Sequence, residues 1–218
     1  PYSIDAISSA IESSFKKDAD EKESINVSIF TTAERNEAAQ LYHELKQSRV
    51  NADTLKTIAD SLAVISIDEY SETSQEALEN LMLHPTNKYF DKTIQIVLTK
   101  NGEVGFNIEH SAVDGMTVST VIGHIFNGLQ KELIQTDCCT DEPRIEKKEW
   151  DLSEELKTRL EHLQEKYLAQ NKEFSLLKTT FTDFGAEKIK ELRLSPDAFF
   201  HMALQLAQYR TYGEFKSV

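Results

Sequence analysis

The sequence predicts a helix-rich α/β protein with a mixed sheet. Apolar residues recur at helical spacing in several segments, and short runs rich in Ile and Val lie between them. Two of these runs flank Asn101-Gly102, a dipeptide that favours a tight hairpin turn. Hydrophobic residues make up 39% and charged residues 28% of the chain, with seven glycines and four prolines. This balance is typical of a folded protein with a buried core.

The N-terminal segment predicts a helix followed by a short strand. Ile4, Ile7, Ile11 and Phe15 repeat at helical spacing. The charged run KKDADEKES then predicts a solvated connector, and INVSIF at residues 25–30 predicts a strand.

The next segment predicts two helices and a buried strand. Apolar periodicity favours helices over residues 35–47 and 52–62. The run AVISI, at residues 63–67, has the length and the branched side chains of a buried strand.

A helix over residues 74–83, stopped by Pro85, leads to the predicted hairpin. Its two strands are TIQIVLTK and VGFNIEH, and the second one brings His110 to its C-terminal end. A further helix is predicted to begin near Gly115, with apolar residues along one side at Val118, Val121, Ile122, Ile125, Phe126, Leu129 and Leu133.

The pattern changes after the polar stretch at residues 136–148, which predicts a linker. Beyond it, leucines at helical spacing predict an amphipathic helix over residues 152–167, and FSLLKTTF predicts a strand. The last helix should begin with Ser195 as its N-cap and Pro196 at its first helical position.

Charge and hydropathy narrow the classes of partner. The chain has 218 residues and a formal net charge of −13, which disfavours nucleic acid or an anionic membrane surface as the main partner. A ligand that carries phosphate would therefore need a local cluster of Lys or Arg. The sequence contains no apolar run of the roughly 20 residues needed to span a bilayer.

Features of the N-terminus and of the cysteines favour an intracellular, cytoplasmic protein. The first residues resemble neither a signal peptide nor a transit peptide, although the absence of an initial Met leaves an upstream organellar targeting segment open. Cys138 and Cys139 are adjacent, which disfavours a disulfide and favours a reducing compartment. No partner at ligand spacing accompanies them, so we expect no metal site there.

His110, Ser111 and Asp114 lie where a predicted strand ends, a position that fixes the backbone yet leaves side chains free to face a cleft. A His at such a place can take a proton from a substrate hydroxyl. Asp114 could orient the imidazole or pair with an Arg that holds the turn. Taken alone, the spacing favours a structural His over a catalytic one.

The surrounding residues favour the catalytic interpretation, because residues 87–117 resemble the catalytic segment of the carnitine/choline O-acyltransferase family. The matching parts occur in the family's order: Tyr89-Phe90-Asp91-Lys92, then Gly105-Phe106-Asn107, then Glu109-His110-Ser111 with Asp114-Gly115. The resemblance implies that His110 is the general base and that Asp114 belongs to the catalytic site.

A second match lies in KELRLSPDAFFHMALQLAQYRTYG, which resembles the family's basic stretch before Ser-Pro-Asp-Ala. It implies that Lys190 and Arg193 contact the phosphates of CoA, although Arg193 stands where the family more often has Lys. Two solvated cations at a helix end are the alternative. The resemblance also places Asp197 near the pantetheine of CoA, while a carboxylate in a first helical turn has a structural explanation of its own.

The resemblance implies a chloramphenicol-acetyltransferase-like CoA-dependent acyltransferase fold of two related α/β domains. Residues 1–140 would be the catalytic-His portion of the N-terminal domain. Residues 141–218 would hold the linker and the start of the next part, with the CoA-phosphate motif. The resemblance also implies a further C-terminal half as partner, which carries the groups that stabilise the oxyanion, so this fragment alone should have little activity.

The implied function is transfer of an acyl group between CoA and the hydroxyl of carnitine or choline, with no metal. CoA or acyl-CoA would be a substrate, and the sequence does not decide between carnitine and choline. Two alternatives remain. One is another HxxxDG acyltransferase with a different acceptor, and the other is a non-catalytic fragment that acts as an interaction module.

Overall fold

The computed structural model describes residues 2–18, 25–68, 73–99, 101–131, 141 and 143–215. Cys138, Cys139, Leu133, Lys100 and most of the predicted linker lie outside these ranges. The chain divides into two compact units, Pro1–Leu176 and Leu177–Val218. The predicted division after residue 140 stays a prediction.

The first unit contains six α-helices and three strands within its described residues. The helices are α1 (Ile4–Asp18), α2 (Arg35–Leu45), α3 (Arg49–Asp60), α4 (Ser74–Leu83), α5 (Gly115–Gln130) and α6 (Glu154–Asn171). The strands are β1 (Val64–Asp68), β2 (Gln95–Thr99) and β3 (Val104–Asn107). The second unit contains α7 (Ala186–Glu191) and α8 (Pro196–Tyr212). The prediction of a helix-rich α/β chain is confirmed.

The sheet is mixed, as predicted, and its strand order is β1-β2-β3. β2 pairs in parallel with β1, with Val64 opposite Gln95, and antiparallel with β3, with Gln95 opposite Asn107. The hairpin turn contains Gly102 at φ 85°, a conformation that glycine adopts without steric cost. β3 ends at Asn107, three residues before His110, so the prediction that the strand itself reaches His110 is wrong.

The core of the first unit lies where a 3₁₀ helix, Val27–Thr32, meets α2, α3 and α6. Leu160 and Leu163 of α6 are buried in one cluster with residues of the 3₁₀ helix, α2 and α3. The residues of this buried cluster are Val27, Ile29, Phe30, Leu41, Leu45, Leu55, Leu160 and Leu163. A segment that the sequence places beyond the linker therefore completes the core.

The prediction of a strand at residues 25–30 is wrong, because this segment contains the 3₁₀ helix Val27–Thr32. Local hydrogen bonds explain the difference. Thr31 Oγ1 donates to the carbonyl oxygen of Ser28 and Thr32 Oγ1 to that of Ile29, each at 2.8 Å. A short apolar run that is buried on several sides has the same composition in a strand and in a helix.

The strand predicted from FSLLKTTF is also wrong. Residues 174–181 lie outside any ladder that the structure describes, and Phe174, Leu177 and Phe181 are largely exposed. Branched and aromatic residues favour a strand only where a neighbouring strand supplies hydrogen bonds and a face to pack against.

Polar side chains of α3 form hydrogen bonds with the backbone of the segment that precedes α6. Asn51 is buried, and its Nδ2 donates to the carbonyl oxygen of Asp151 at 2.7 Å while its Oδ1 accepts the backbone N–H of Asp151 at 2.7 Å. Thr54 Oγ1 donates to the carbonyl oxygen of Glu149 at 3.2 Å. These bonds fix the entry of α6 into the core.

No helix within the described ranges is both long and apolar enough to cross a membrane.

Candidate active site

The loop between β3 and α5 carries the predicted catalytic motif. Asn107 is the last residue of β3, and its Nδ2 donates to the carbonyl oxygen of Leu81 in α4 at 3.0 Å. Residues 108–114 then lead to α5. His110 lies in the middle of this loop and is exposed. The loop thus starts from an anchored strand end and presents an accessible imidazole.

Asp114 is the N-cap of α5. Its Oδ1 accepts hydrogen bonds from the backbone N–H of Thr117 at 2.7 Å and from Thr117 Oγ1 at 2.9 Å. These hydrogen bonds lower the pKa of the Asp114 carboxyl, and the charge of His110 adds to the effect. Among the described residues no hydrogen bond joins Asp114 to His110. The orienting role of Asp114 stays a prediction, whereas its capping bonds are seen directly.

Glu109 and Ser111, the two neighbours of His110, bond to each other. Glu109 Oε1 accepts the backbone N–H of Ser111 at 3.0 Å and also accepts the Ser111 hydroxyl. The bond from the hydroxyl and then the bond from the backbone lower the pKa of the Glu109 carboxyl, to which the charge of His110 contributes less. His110 is therefore flanked in sequence by a hydrogen-bonded pair.

The Tyr89-Lys92 element lies close to this loop and contributes to its electrostatics. Burial raises the pKa of the Asp91 carboxyl; a backbone hydrogen bond and the Lys92 charge oppose this effect, and repulsion from the Glu109 charge makes a smaller contribution in the same direction as burial. Burial likewise raises the pKa of Tyr89 to about 12. These effects relate the first part of the motif to the charges around His110.

Lys92 has a structural role that the sequence analysis did not identify. Its Nζ donates to the carbonyl oxygens of Ile58 at 2.7 Å and of Ala59 at 3.3 Å, and also to that of Ser61. The last carbonyl groups of an α-helix have no partner within the helix, and a cation is favourable at that end. Lys92 therefore caps the C-terminal end of α3.

Lys88, the residue before Tyr89, belongs to a buried ion pair. Nζ of Lys88 lies 2.9 Å from Oδ1 and 2.8 Å from Oδ2 of Asp68, the last residue of β1. The Lys88 side chain is 0% exposed and that of Asp68 is 10% exposed. Sequence reasoning missed this pair because the two residues are far apart in the chain and follow no periodic pattern.

In the second unit, Lys190 and Arg193 lie at the C-terminal end of α7. The backbone N–H of Arg193 donates to the carbonyl oxygen of Lys190 at 2.9 Å, and that of Leu194 donates to Ile189 at 3.2 Å. This is the Schellman arrangement, which places its αL residue at the position of Arg193. Arg193 has φ 59°, where glycine is the usual residue.

Both of these cations are available to a ligand. Lys190 and Arg193 are exposed, and neither forms an ion pair within the part of the chain that the structure describes. Lys188, also in α7, is paired with Glu191 at 2.7 Å. The end of α7 thus presents two uncompensated positive charges on a chain that is strongly acidic.

Asp197 lies in the first turn of α8. Ser195 caps this helix, since its Oγ accepts the backbone N–H of Ala198 at 3.3 Å, and Pro196 is the first helical residue, as predicted. Asp197 is exposed, and its Oδ1 lies 3.7 Å from Nε2 of His201. A contact between Asp197 and a ligand stays a prediction.

The remaining histidines, expected to be structural or exposed, are all exposed; they are His43, His84, His124, His162 and His201. Within the described residues no group of three or more His, Cys, Asp or Glu side chains is arranged to hold a metal ion.

Comparison with known proteins gives a match over the whole sequence. The family model described as choline/carnitine O-acyltransferase matches residues 1–218. Carnitine O-acetyltransferase of Mus musculus is 28% identical over 200 residues, which cover 86% of this chain and 32% of that protein. Choline O-acetyltransferase of Sus scrofa is 29% identical over 204 residues, covering 86% of this chain and 31% of that protein.

A relative with a different acyl substrate in its name matches similarly. The muscle isoform of carnitine O-palmitoyltransferase 1 of Rattus norvegicus is 30% identical over 209 residues, covering 87% of this chain and 27% of that protein. The chain spans about a third of the length of the curated relatives it matches.

Proposed function

Because this chain belongs to the choline/carnitine O-acyltransferase family, we propose that it is part of an enzyme that transfers an acyl group between CoA and the hydroxyl of carnitine or choline. The single observation that carries the proposal is the exposed His110 in the loop between β3 and α5, within the motif by which the sequence resembles the family. The proposed fold is the chloramphenicol-acetyltransferase-like pair of α/β domains, for which the mixed sheet gives support.

In the proposed reaction His110 is the general base. Its imidazole takes the proton of the acceptor hydroxyl while the hydroxyl oxygen attacks the carbonyl carbon of the acyl-CoA thioester. The tetrahedral intermediate then collapses, the C–S bond breaks, and the CoA sulfur takes the proton from the imidazolium. No covalent acyl-enzyme is formed. The exposure of His110 supports this role, because a base must reach the hydroxyl directly.

Stabilisation of the oxyanion belongs to a further part of the enzyme in this proposal. The family resemblance assigns it to hydroxyl groups beyond residue 218, and preorganised donors of this kind are usually a large contribution to the rate. We therefore expect residues 1–218 alone to turn over acyl-CoA poorly.

The proposed test measures CoA release from acetyl-CoA and palmitoyl-CoA with carnitine or with choline, using the protein encoded by the complete reading frame. We expect release that depends on one of these acceptors, with the corresponding O-acyl ester identified by mass spectrometry. Release that requires a different hydroxyl or amine acceptor would support the alternative acyltransferase instead. A folded protein that releases no CoA with any acceptor would refute the proposal.

CoA is the proposed second substrate, and Lys190 and Arg193 are its proposed phosphate ligands. The formal net charge of −13 would repel a phosphorylated ligand at long range, so exposed cations without a carboxylate partner are needed locally. Arg binds phosphate bidentately and Lys binds it as a point charge. Asp197 is proposed to lie near the pantetheine.

The conformation of Arg193 permits a sharp test of CoA binding. Arg193→Gly places glycine where φ is 59°, so it should fold at least as stably as the wild type while it loses a phosphate ligand. We expect the dissociation constant for CoA to rise about tenfold or more, as it does when a charged hydrogen bond worth about 1.5–3 kcal/mol is lost.

Lys188→Ala is the matched control, because it removes the same charge from the adjoining helix α7 but from a side chain that Glu191 already neutralises. Calorimetric titration with CoA measures both variants. Equal weakening in the two variants would indicate a general charge effect and would contradict the assignment of Arg193.

A further inference from the structure

Glu109 and Ser111 form a closed contact across His110. One carboxylate oxygen of Glu109 accepts both the backbone N–H of Ser111, at 3.0 Å, and the Ser111 hydroxyl. The resulting ring includes the backbone of His110 and no other residue between its two ends. We call this pair the Glu109–Ser111 clamp.

The clamp lies in a segment that has no regular secondary structure. The ladder of β3 ends at Asn107 and the hydrogen bonds of α5 begin at its N-cap, so His110 lies in a segment without ladder or helix bonds. A side chain that accepts the N–H two residues further on narrows the φ and ψ angles of the residue between them. The capping bonds from Thr117 to Asp114 fix the other end of the loop. The backbone of His110 is therefore fixed from both sides.

The clamp also supplies charge. Its hydrogen bonds favour the ionised form of Glu109, and those of the helix cap favour the ionised form of Asp114. Both carboxylates interact electrostatically with His110, and Asp91, from the segment before β2, interacts with Glu109.

We propose that Glu109 and Ser111 are positioning residues for the proposed base, which hold the His110 backbone in one conformation. The inference rests on the function proposed above. It assigns roles to two side chains that are not themselves expected to touch the acceptor or CoA.

Four variants test the clamp. Glu109→Gln keeps an oxygen that can accept both Ser111 bonds but removes the charge, and Glu109→Ala removes both. Ser111→Ala keeps the backbone bond and removes the hydroxyl bond, and Ser111→Thr restores the hydroxyl. Glu103→Gln is the matched control, because Glu103 is an exposed carboxylate in the β2–β3 turn and loses the same charge.

We expect Glu109→Ala to lower kcat by about tenfold to 100-fold with little change in KM, because a misplaced group costs rate more than binding. Ser111→Ala should have a smaller effect, which Ser111→Thr reverses. Glu109→Gln should keep a kcat closer to that of the wild type, since its side-chain oxygen can still accept both Ser111 bonds. A wild-type kcat in Glu109→Ala, as in Glu103→Gln, would overturn the proposal.

A second measurement needs no turnover. Hydrogen exchange followed by NMR should show that the Ser111 amide exchanges faster in Glu109→Ala than in the wild type. An unchanged exchange rate would overturn the clamp even in an inactive protein. If His110→Ala abolishes activity while Glu109→Ala is normal, the clamp fails and the proposed function stands. If the Ser111 amide exchanges faster in Glu109→Ala but the wild type transfers no acyl group, the proposed function fails and the clamp stands as a structural feature of the loop.

Discussion

At the scale of single residues, the buried Lys88–Asp68 pair is a contact outside the His110 loop on which the stability of the protein should depend. Burying two charges is costly, and their attraction repays the cost only when the geometry is good. Here both carboxylate oxygens lie within 2.9 Å of the ammonium group. The pair joins the end of β1 to the segment that leads into Tyr89 and Lys92.

Removal of one partner should therefore be harmful. We expect Lys88→Ala to lower the free energy of unfolding by about 3–5 kcal/mol in urea titrations, because it leaves an uncompensated carboxylate in the interior. The double variant Lys88→Met/Asp68→Leu should recover most of this loss. Lys56→Ala is the control, since Lys56 and Asp60 form an exposed pair with side chains 73% and 65% accessible. Equal effects of Lys88→Ala and Lys56→Ala would contradict the importance of burial.

The residues of the candidate site could be proposed from the sequence, but their hydrogen bonds could not. His110 and Asp114 stand out because a recognisable motif contains them. The Glu109–Ser111 clamp and the Lys92 cap depend on where side-chain oxygens and backbone carbonyls meet in space, which residue type and spacing do not specify. The cap joins Lys92 to the end of a helix that lies about thirty residues earlier in the chain.

At the scale of elements, Gly105 shows how a residue of the motif serves packing. A Cβ at this position of β3 would lie 2.8 Å from Cδ2 and 2.9 Å from Cδ1 of Leu81 in α4. The absence of a side chain therefore allows α4 to approach the strand that leads to His110. The Gly-Phe-Asn part of the motif thus supports the strand on which the loop is built.

Gly105→Ala should accordingly destabilise the protein by about 1–3 kcal/mol, the usual cost of overpacking. Gly123→Ala is the control, because a Cβ there meets no atom within 4 Å and Gly123 lies inside α5. Alanine should stabilise that helix by about 0.5–1 kcal/mol. Denaturant titration of both variants measures the contrast. A loss of stability in Gly123→Ala and not in Gly105→Ala would be inconsistent with the packing described.

Elements with strong periodicity were predictable, and short apolar runs were not. The amphipathic helices and the hairpin follow from spacing and from Asn101-Gly102, and their bounds agree with the sequence to within a few residues. The strand prediction at residues 25–30 was wrong because threonine hydroxyls donate to carbonyl oxygens within a local 3₁₀ turn. The strand prediction for FSLLKTTF was wrong because a strand also needs a neighbouring strand, which composition alone cannot supply. The short helix α7 has too few residues to show a period.

At the scale of the whole molecule, the proposed chemistry and the proposed CoA-phosphate binding lie in different compact units. His110 belongs to the unit Pro1–Leu176, and Lys190 and Arg193 belong to Leu177–Val218. Substitutions can therefore separate the two functions. Changes at His110 should reduce kcat, whereas changes at Arg193 should raise the dissociation constant for CoA.

The central claim is that His110 is the base of a CoA-dependent acyl transfer. It is tested most directly by comparing His110→Ala with His124→Ala, an exposed histidine of α5, in the protein encoded by the complete reading frame. Acetyl-CoA turnover with the preferred acceptor and the dissociation constant for CoA are measured for both. We predict that His110→Ala lowers kcat by about 10²–10⁴ with CoA binding unchanged, and that His124→Ala resembles the wild type. An undiminished kcat in His110→Ala would contradict the claim.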